Sequence, residues 1–145
     1  MDKWDKRFTD LAIHVSGWSK DRSTKVGCVI VGPHHEVRSL GYNGFPRGVD
    51  DDSDERHERP AKYLWTEHAE RNAIYNAARC GIALEGCVLY VPWHPCTGCA
   101  RAIVQSGITE VVVGLHTIPA NWIEECKVAA IILTEGGVKV RYLDE

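Results

Sequence analysis

No apolar run in this 145-residue chain is long enough to cross a bilayer. A basic excess is missing too: the formal charge is −3, which argues against a protein that lives on a nucleic-acid backbone. The opening Met1-Asp2-Lys3-Trp4-Asp5-Lys6-Arg7 is charged with no apolar stretch behind it, so it does not read as a secretory signal. Internal repeats, low-complexity tracts and signs of a second domain are also lacking. These absences lead us to expect a cytoplasmic protein with one domain over residues 1–145, large enough to bury a core without disulfide support.

The six cysteines are Cys28, Cys80, Cys87, Cys96, Cys99 and Cys126. They are unevenly spaced and lack a secretory context, so metal ligation or burial is the better reading than a disulfide framework. Only Cys96 and Cys99 have ligand spacing. The other four lie in or beside apolar segments and read as small buried hydrophobes.

Periodicity gives the order of elements. Trp4, Phe8, Leu11, Val15 and Trp18 form one stripe of an amphipathic helix over about residues 4–19. Val26 to Val31 reads as a buried strand, Gly32-Pro33-His34-His35 as a turn, and Val37 to Tyr42 as an antiparallel partner strand. No periodicity runs from Asn43 to about Trp65, where the charged stretch from Asp50 to Pro60 reads as a solvated loop or a lid. A helix follows from about Glu67 to Arg79, then a strand at Val88–Val91, a helix at Cys96–Ser106 and a strand at Val111–Val113. Asn121 as N-cap with Glu124 three residues later starts the last helix, Gly136-Gly137 ends it, and Val138–Tyr142 is the fifth strand. Strands joined through crossover helices are normally parallel neighbours. The expectation is therefore an α/β fold whose five-stranded mixed sheet has its last three strands parallel.

Two short motifs carry chemistry: His68-Ala69-Glu70 and Pro95-Cys96-Thr97-Gly98-Cys99. Taken singly, the first is usually a polar helix face, and the second is equally a redox pair or half of a structural zinc site. Together, each opening a helix and separated by one strand, they match the signature of zinc-dependent base deaminases. Cys96 and Cys99 in one helical turn point their sulfurs to one side, and His68 adds an imidazole from the neighbouring helix. Three protein ligands leave the fourth tetrahedral position open, as in a catalytic site. Spacing alone leaves His57 and His94 as candidates for the fourth ligand of a structural site. Glu70 falls beside the metal rather than on it, where it can accept a proton from water and return protons to the ring N3 and the leaving amine.

With these motifs in this order the chain resembles the cytidine-deaminase superfamily, and within it the deoxycytidylate (dCMP) deaminases. The resemblance runs from Ser19-Lys20-Asp21-Arg22-Ser23-Thr24-Lys25-Val26-Gly27 through Gly41-Tyr42-Asn43-Gly44-Phe45-Pro46-Arg47-Gly48 to Gln105-Ser106-Gly107-Ile108. It implies a three-layer α-β-α fold, one Zn2+ per chain, and hydrolysis of dCMP to dUMP and ammonia. It also implies that Asn43 holds the sugar and that Ala69 offers a backbone group to the base. The 5′-phosphate needs cationic or hydroxyl donors; Lys20 and Ser23 are the first candidates, with Arg79 a third. A homo-oligomer, up to a hexamer, and control by dCTP and dTTP are features of some such enzymes. His94 departs from the apolar or aromatic residue common before Pro95. Deaminases of another base, a nucleoside or tRNA adenosine would use the same zinc ligands, and a non-catalytic zinc module would not need Glu70.

Overall fold

The computed structural model describes residues 2–114 and 117–143. Helix α1 (Lys3–Ser16) is capped by Asp2, whose carboxylate accepts from the Asp5 N–H. Strands β1 (Gly27–Val31) and β2 (Val37–Tyr42) form an antiparallel pair. Two one-turn helices follow, α2 (Asp54–His57) and α3 (Lys62–Trp65), and then α4 (Ala69–Cys80). The second half alternates: β3 (Val88–Val91), α5 (Thr97–Gln105), β4 (Glu110–Val113), α6 (Ile123–Glu135) and β5 (Lys139–Tyr142). No described helix is long and apolar enough to cross a membrane.

The sheet order is β2-β1-β3-β4-β5, with β3, β4 and β5 parallel and β1 antiparallel to both neighbours. Strand alternation assigns the faces. Cys28, Ile30, Leu89, Val91, Val111 and Val113 pack with Ala69, Ala73, Ala100, Ile103, Ala129 and Leu133 of α4, α5 and α6. Val29, Val31, Tyr90 and Val112 turn the other way, onto Phe8 and Ala12 of α1. Helices therefore cover both faces, as expected for a three-layer α-β-α arrangement.

Small residues set how close α4 comes. Ala69, Ala73 and Ala77 repeat every fourth position and are essentially fully buried. Beneath them is Gly41, where a Cβ would stand 2.4 Å from the Ala69 carbonyl oxygen and the Ala73 nitrogen. The Gly41-Tyr42-Asn43-Gly44 stretch, by itself a glycine-rich turn, thus lies partly inside β2 and seats α4 on the sheet.

Four sequence expectations change. Cys80, read as a buried apolar residue, is exposed at the end of α4, whereas Cys28, Cys87 and Cys126 are buried. Helix α1 stops at Ser16, and Trp18, placed on its apolar stripe, is 51% exposed. Asn121 does not cap the last helix: a tight 3-10 turn at Ala120–Trp122 leads in, Trp122 occupies the cap, and no side chain bonds there. The Glu124 of the expected capping box pairs instead with Lys127 at 3.2 Å. The aperiodic 43–65 segment is built from contacts that hydrophobic periodicity does not register. Phe45 stacks on His57 with centroids 4.8 Å apart, and the Arg56 guanidinium lies 3.9 Å from the Trp65 ring.

Candidate active site

Both motif histidine and first cysteine sit at helix starts. His68 is the N-cap of α4, with extended backbone at φ −81° and ψ 154°. Cys96 is the N-cap of α5, reached through the loop leaving the C-terminal end of β3, and its sulfur accepts from the Cys99 N–H at 3.5 Å. Two helix N-termini, each with unpaired N–H groups and a positive dipole end, therefore converge on one point. The crevice beyond the carboxyl ends of sheet strands is where α/β folds place ligands.

His68 Nδ1 lies 3.3 Å from Cys96 Sγ and 3.5 Å from Cys99 Sγ. Tetrahedral zinc with its usual bond lengths sets nitrogen and sulfur ligands about 3.5 Å apart. The three ligand atoms lie within 4.8 Å of one another, and among the described residues no other His, Cys, Asp or Glu joins them. The donor set therefore fits zinc and leaves a fourth position for water. The two histidines left open as fourth ligands are engaged elsewhere. His57 Nε2 bonds the Asp51 carbonyl, while His94 Nδ1 bonds the Pro95 carbonyl at 2.9 Å and His94 Nε2 bonds the Tyr142 hydroxyl at 3.2 Å.

Electrostatics favour a thiolate here. Hydrogen bonding from the Cys99 thiol, helped by His68, holds the Cys96 thiol down to about 3. Cys99, giving that hydrogen bond from a buried position, is pushed up. The Cys96 sulfur also raises the His68 imidazole. Glu70, in the first turn of α4, is only 5% exposed, and burial raises its carboxyl above the ordinary range. A carboxyl raised in this way holds a proton more readily than an exposed one, which suits it to carrying protons between groups. Arg71 lies behind the ligands, its Nε 2.7 Å from Glu67 Oε1 but not aimed as a hydrogen bond.

The ligands open into a cavity of about 220 Å³. One wall carries Thr24, Val26 and Asn43, another Arg59, Lys62 and Tyr63, and a third Trp93, His94, Trp122, Glu125 and Cys126.

The matching family model is described as the cytidine and deoxycytidylate deaminase zinc-binding region, and it covers residues 2–115. The chain belongs to this family. Over 145 aligned residues, 99% of this chain and 95% of the relative, it is 43% identical to a protein of Aliivibrio fischeri described as an uncharacterized deaminase in the luxG 3′ region. It is 45% identical over 112 residues to a probable deoxycytidylate deaminase of Caenorhabditis elegans, spanning 75% of this chain but 56% of that protein. The dCMP deaminase of cyanophage S-TIM5, solved with dCMP and dUMP, matches with a TM-score of 0.78. It covers 99% of each chain at 24% identity, a likeness of fold.

Within this deaminase site the sequence candidates separate. His68, Ala69, Glu70, Cys96 and Asn43 line the cavity, and Cys99 completes the ligand cluster. The Asn43 amide already ties the loop before β1 to the end of β2: Oδ1 accepts from the Val26 N–H and Nδ2 donates to the Thr24 carbonyl, both at 2.8 Å. Lys20, Ser23 and Arg79 are not brought to the cavity. Lys20 is exposed and pairs with Asp51 at 3.1 Å. Ser23 is exposed, with its N–H held by Asp21 Oδ1. Arg79 lies in the last turn of α4, about 16 Å of helix from His68.

The cations at the cavity wall come from the segment that sequence reading left as a loop. Lys62 is buried and pairs with Asp21 at 3.3 Å. Arg59 donates from Nε to the Tyr63 hydroxyl at 2.8 Å and makes no ion pair among the described residues. A lysine inside a short aperiodic stretch carries no sequence signal of burial, so only the fold reveals this pair.

Proposed function

We propose that this chain is a zinc-dependent hydrolase that deaminates dCMP to dUMP and ammonia, supplying a precursor of dTMP. The observation that carries the reading is the convergence of His68 Nδ1, Cys96 Sγ and Cys99 Sγ beside the buried Glu70 carboxyl at one cavity. The nematode relative's name and the phage enzyme's bound nucleotides support the choice of substrate. The reading takes residues 1–145 as one deaminase domain with one Zn2+.

His68, Cys96 and Cys99 would hold the metal, which supplies Lewis acidity that makes a water nucleophilic near neutral pH. Glu70 takes a proton from that water as it adds to C4 and delivers it to N3. The same carboxyl then carries the hydroxyl proton to the amino group, which departs as ammonia and leaves the C4 carbonyl. In this reading the Ala69 backbone, at the first turn of α4, fixes the base, and Asn43 fixes the sugar. Arg59 provides the unpaired positive charge for a 5′-phosphate, with the neutral Lys62–Asp21 pair beside it; Lys20 would act only as a more distant electrostatic rim, and Ser23 would not reach the phosphate.

The test is ammonia release by zinc-loaded protein, with dCMP, deoxycytidine, dCTP, guanine and adenosine in parallel. Strong preference for dCMP is the expected result; indifference to the phosphate would leave a deaminase of free bases or nucleosides. Sizing of the loaded protein with and without dCTP or dTTP tests the homo-oligomer and the regulation that the resemblance implies.

A further inference from the structure

Asp21 does more than neutralise Lys62. It is buried, lines the cavity, and stands at the centre of a run of buried polar side chains that also includes Ser19, Asn43 and Lys62. Its Oδ1 accepts from the Ser23 and Thr24 N–H groups, both at 2.9 Å, and both carboxylate oxygens lie 3.3 Å from Lys62 Nζ. Burial pushes this carboxyl up, but the Thr24 and Ser23 N–H groups, together with Lys62, outweigh it and keep the carboxyl below its ordinary range. An ionised oxygen that accepts from two successive N–H groups holds residues 21–24 in a tight turn.

That turn ends on Asn43. The Thr24 carbonyl accepts from Asn43 Nδ2 and the Val26 N–H donates to Asn43 Oδ1, each at 2.8 Å. With a backbone acceptor on one side and a backbone donor on the other, the amide cannot be reversed without losing both bonds. One hydrogen on Nδ2 and one lone pair on Oδ1 are left to meet a substrate. The main chain of Asn43 is held separately: its carbonyl accepts from Ser19 Oγ at 2.8 Å, and Ser19 Oγ accepts from the Asp21 N–H at 3.2 Å. This second arm uses only the main chain of residue 21, so a change of side chain there leaves it in place.

A 2′-deoxynucleoside 5′-monophosphate has one free sugar hydroxyl, on C3′. Resting on the deaminase reading above, in which Asn43 fixes the sugar, we propose that Asp21 is a positioning residue that aims the Asn43 amide at this hydroxyl. It acts through the Ser23–Thr24 turn and touches no reacting atom. Removing its acceptor oxygens releases the Ser23 and Thr24 N–H groups to water, frees the Thr24 carbonyl to move, and lets the amide turn away from the sugar. A substrate without the 3′-hydroxyl has nothing to lose.

The experiment compares KM and kcat for dCMP and 2′,3′-dideoxy-CMP in the parent and two double variants. A change at Asp21 alone would leave the buried Lys62 charge uncompensated, so both variants also carry Lys62→Met, which removes that cost. Asp21→Asn/Lys62→Met keeps an oxygen for the Ser23 and Thr24 N–H groups; Asp21→Ala/Lys62→Met does not. The parent should favour dCMP by about 3- to 10-fold, the worth of one hydrogen bond, and the preference should lie in KM. It should fall toward one in Asp21→Ala/Lys62→Met and persist in Asp21→Asn/Lys62→Met. Effects at the phosphate cancel because both nucleotides carry it, and KM does not depend on the folded fraction. No preference in the parent, a preference that survives in Asp21→Ala/Lys62→Met, or an equal fall in both variants overturns the proposal. Binding of dUMP against 2′,3′-dideoxy-UMP, followed by the fluorescence of Trp93 and Trp122 in the cavity wall, reads the same contact without turnover. The same pattern there in a protein that deaminates no cytosine nucleotide would sink the deaminase reading and keep the role of Asp21, whereas equal binding by the parent would remove that role.

Discussion

The Arg71 guanidinium lies against Gly98: a β-carbon on Gly98 would stand 2.4 Å from Arg71 Nη1. Gly98 sits between the two cysteines of the ligand pair, so a cation from α4 covers the first turn of α5. This placement sets positive charge beside Cys96 and Cys99, and the Cys99 sulfur is the larger of the two influences on Arg71. Arg71→Ala should weaken zinc retention about 10-fold, the scale of losing an outer partner of a metal site. Gly98→Ala should do the same to a smaller degree, because the tip of Arg71 can swing aside. Competition with a chromophoric chelator measures both, and unchanged affinity in Arg71→Ala would remove the guanidinium from the site's support.

Glu70→Gln should keep its zinc and lose turnover by on the order of 10²–10⁴, the usual contribution of a positioned proton carrier. Zinc content by metal analysis and ammonia release on the same sample give the answer. Turnover equal to that of the parent would overturn the mechanism.

The cavity cations make separable predictions. Asp21→Asn strips the partner from buried Lys62 and should destabilise the fold by about 3–5 kcal/mol, the cost of leaving a buried charge uncompensated. Arg59→Ala should raise KM for dCMP more than tenfold while leaving the low rate on deoxycytidine alone. Lys20→Ala, whose exposed partner is Asp51, should change KM far less. A larger effect from Lys20 than from Arg59 would move the phosphate to the outer rim.

Asp5 predicts a pH dependence. Its carboxylate accepts from Arg141 Nη2 at 2.9 Å and Nη1 at 3.0 Å and from the Tyr90 hydroxyl at 3.1 Å, joining α1 to β5 and β3. Hydrogen bonding from Arg141 outweighs burial and holds the Asp5 carboxyl below its ordinary 3.8. A depressed carboxyl stabilises the fold above the unfolded-state value, and that stabilisation fades as pH falls through the lower folded-state value. Asp5→Asn should therefore cost about 2 kcal/mol at pH 7, less than a fully buried pair because Arg141 is partly exposed. The difference from the parent should narrow below pH 3.8. Urea unfolding at pH 7 and at pH 3 tests this, and a gap that stayed constant would rule out the linkage.

Much of this site was legible before the fold because its ligands sit on elements with strong local signals. Ala-rich periodicity and Gly81 mark α4, Pro95 marks the turn of strand β3 into α5, and Gly107 marks the end of α5. His68, Glu70, Cys96 and Cys99 therefore fell into place. The parallel run of the last three strands followed from crossover geometry. What stayed hidden depends on contacts distant in sequence. Lys62 meets Asp21 across 41 positions, and Phe45, His57 and Trp65 stack without any helical or strand period. Lys20 looked available for a phosphate because its sequence neighbours are polar; its partner Asp51 lies in the acidic run, which by itself reads as solvated. Asn121 illustrates the opposite failure, a capping motif overridden by the tight turn that Pro119 starts.

The ligand cluster also straddles the two halves of the sheet. His68 comes from the helix seated on the antiparallel pair through Gly41, whereas both cysteines come from the first helix of the parallel half. A zinc ion held by these three ligands would tie the two halves together. Stripping it should loosen the seam between α4 and α5 before either half melts, so metal supply would govern the lifetime of the protein as much as its chemistry.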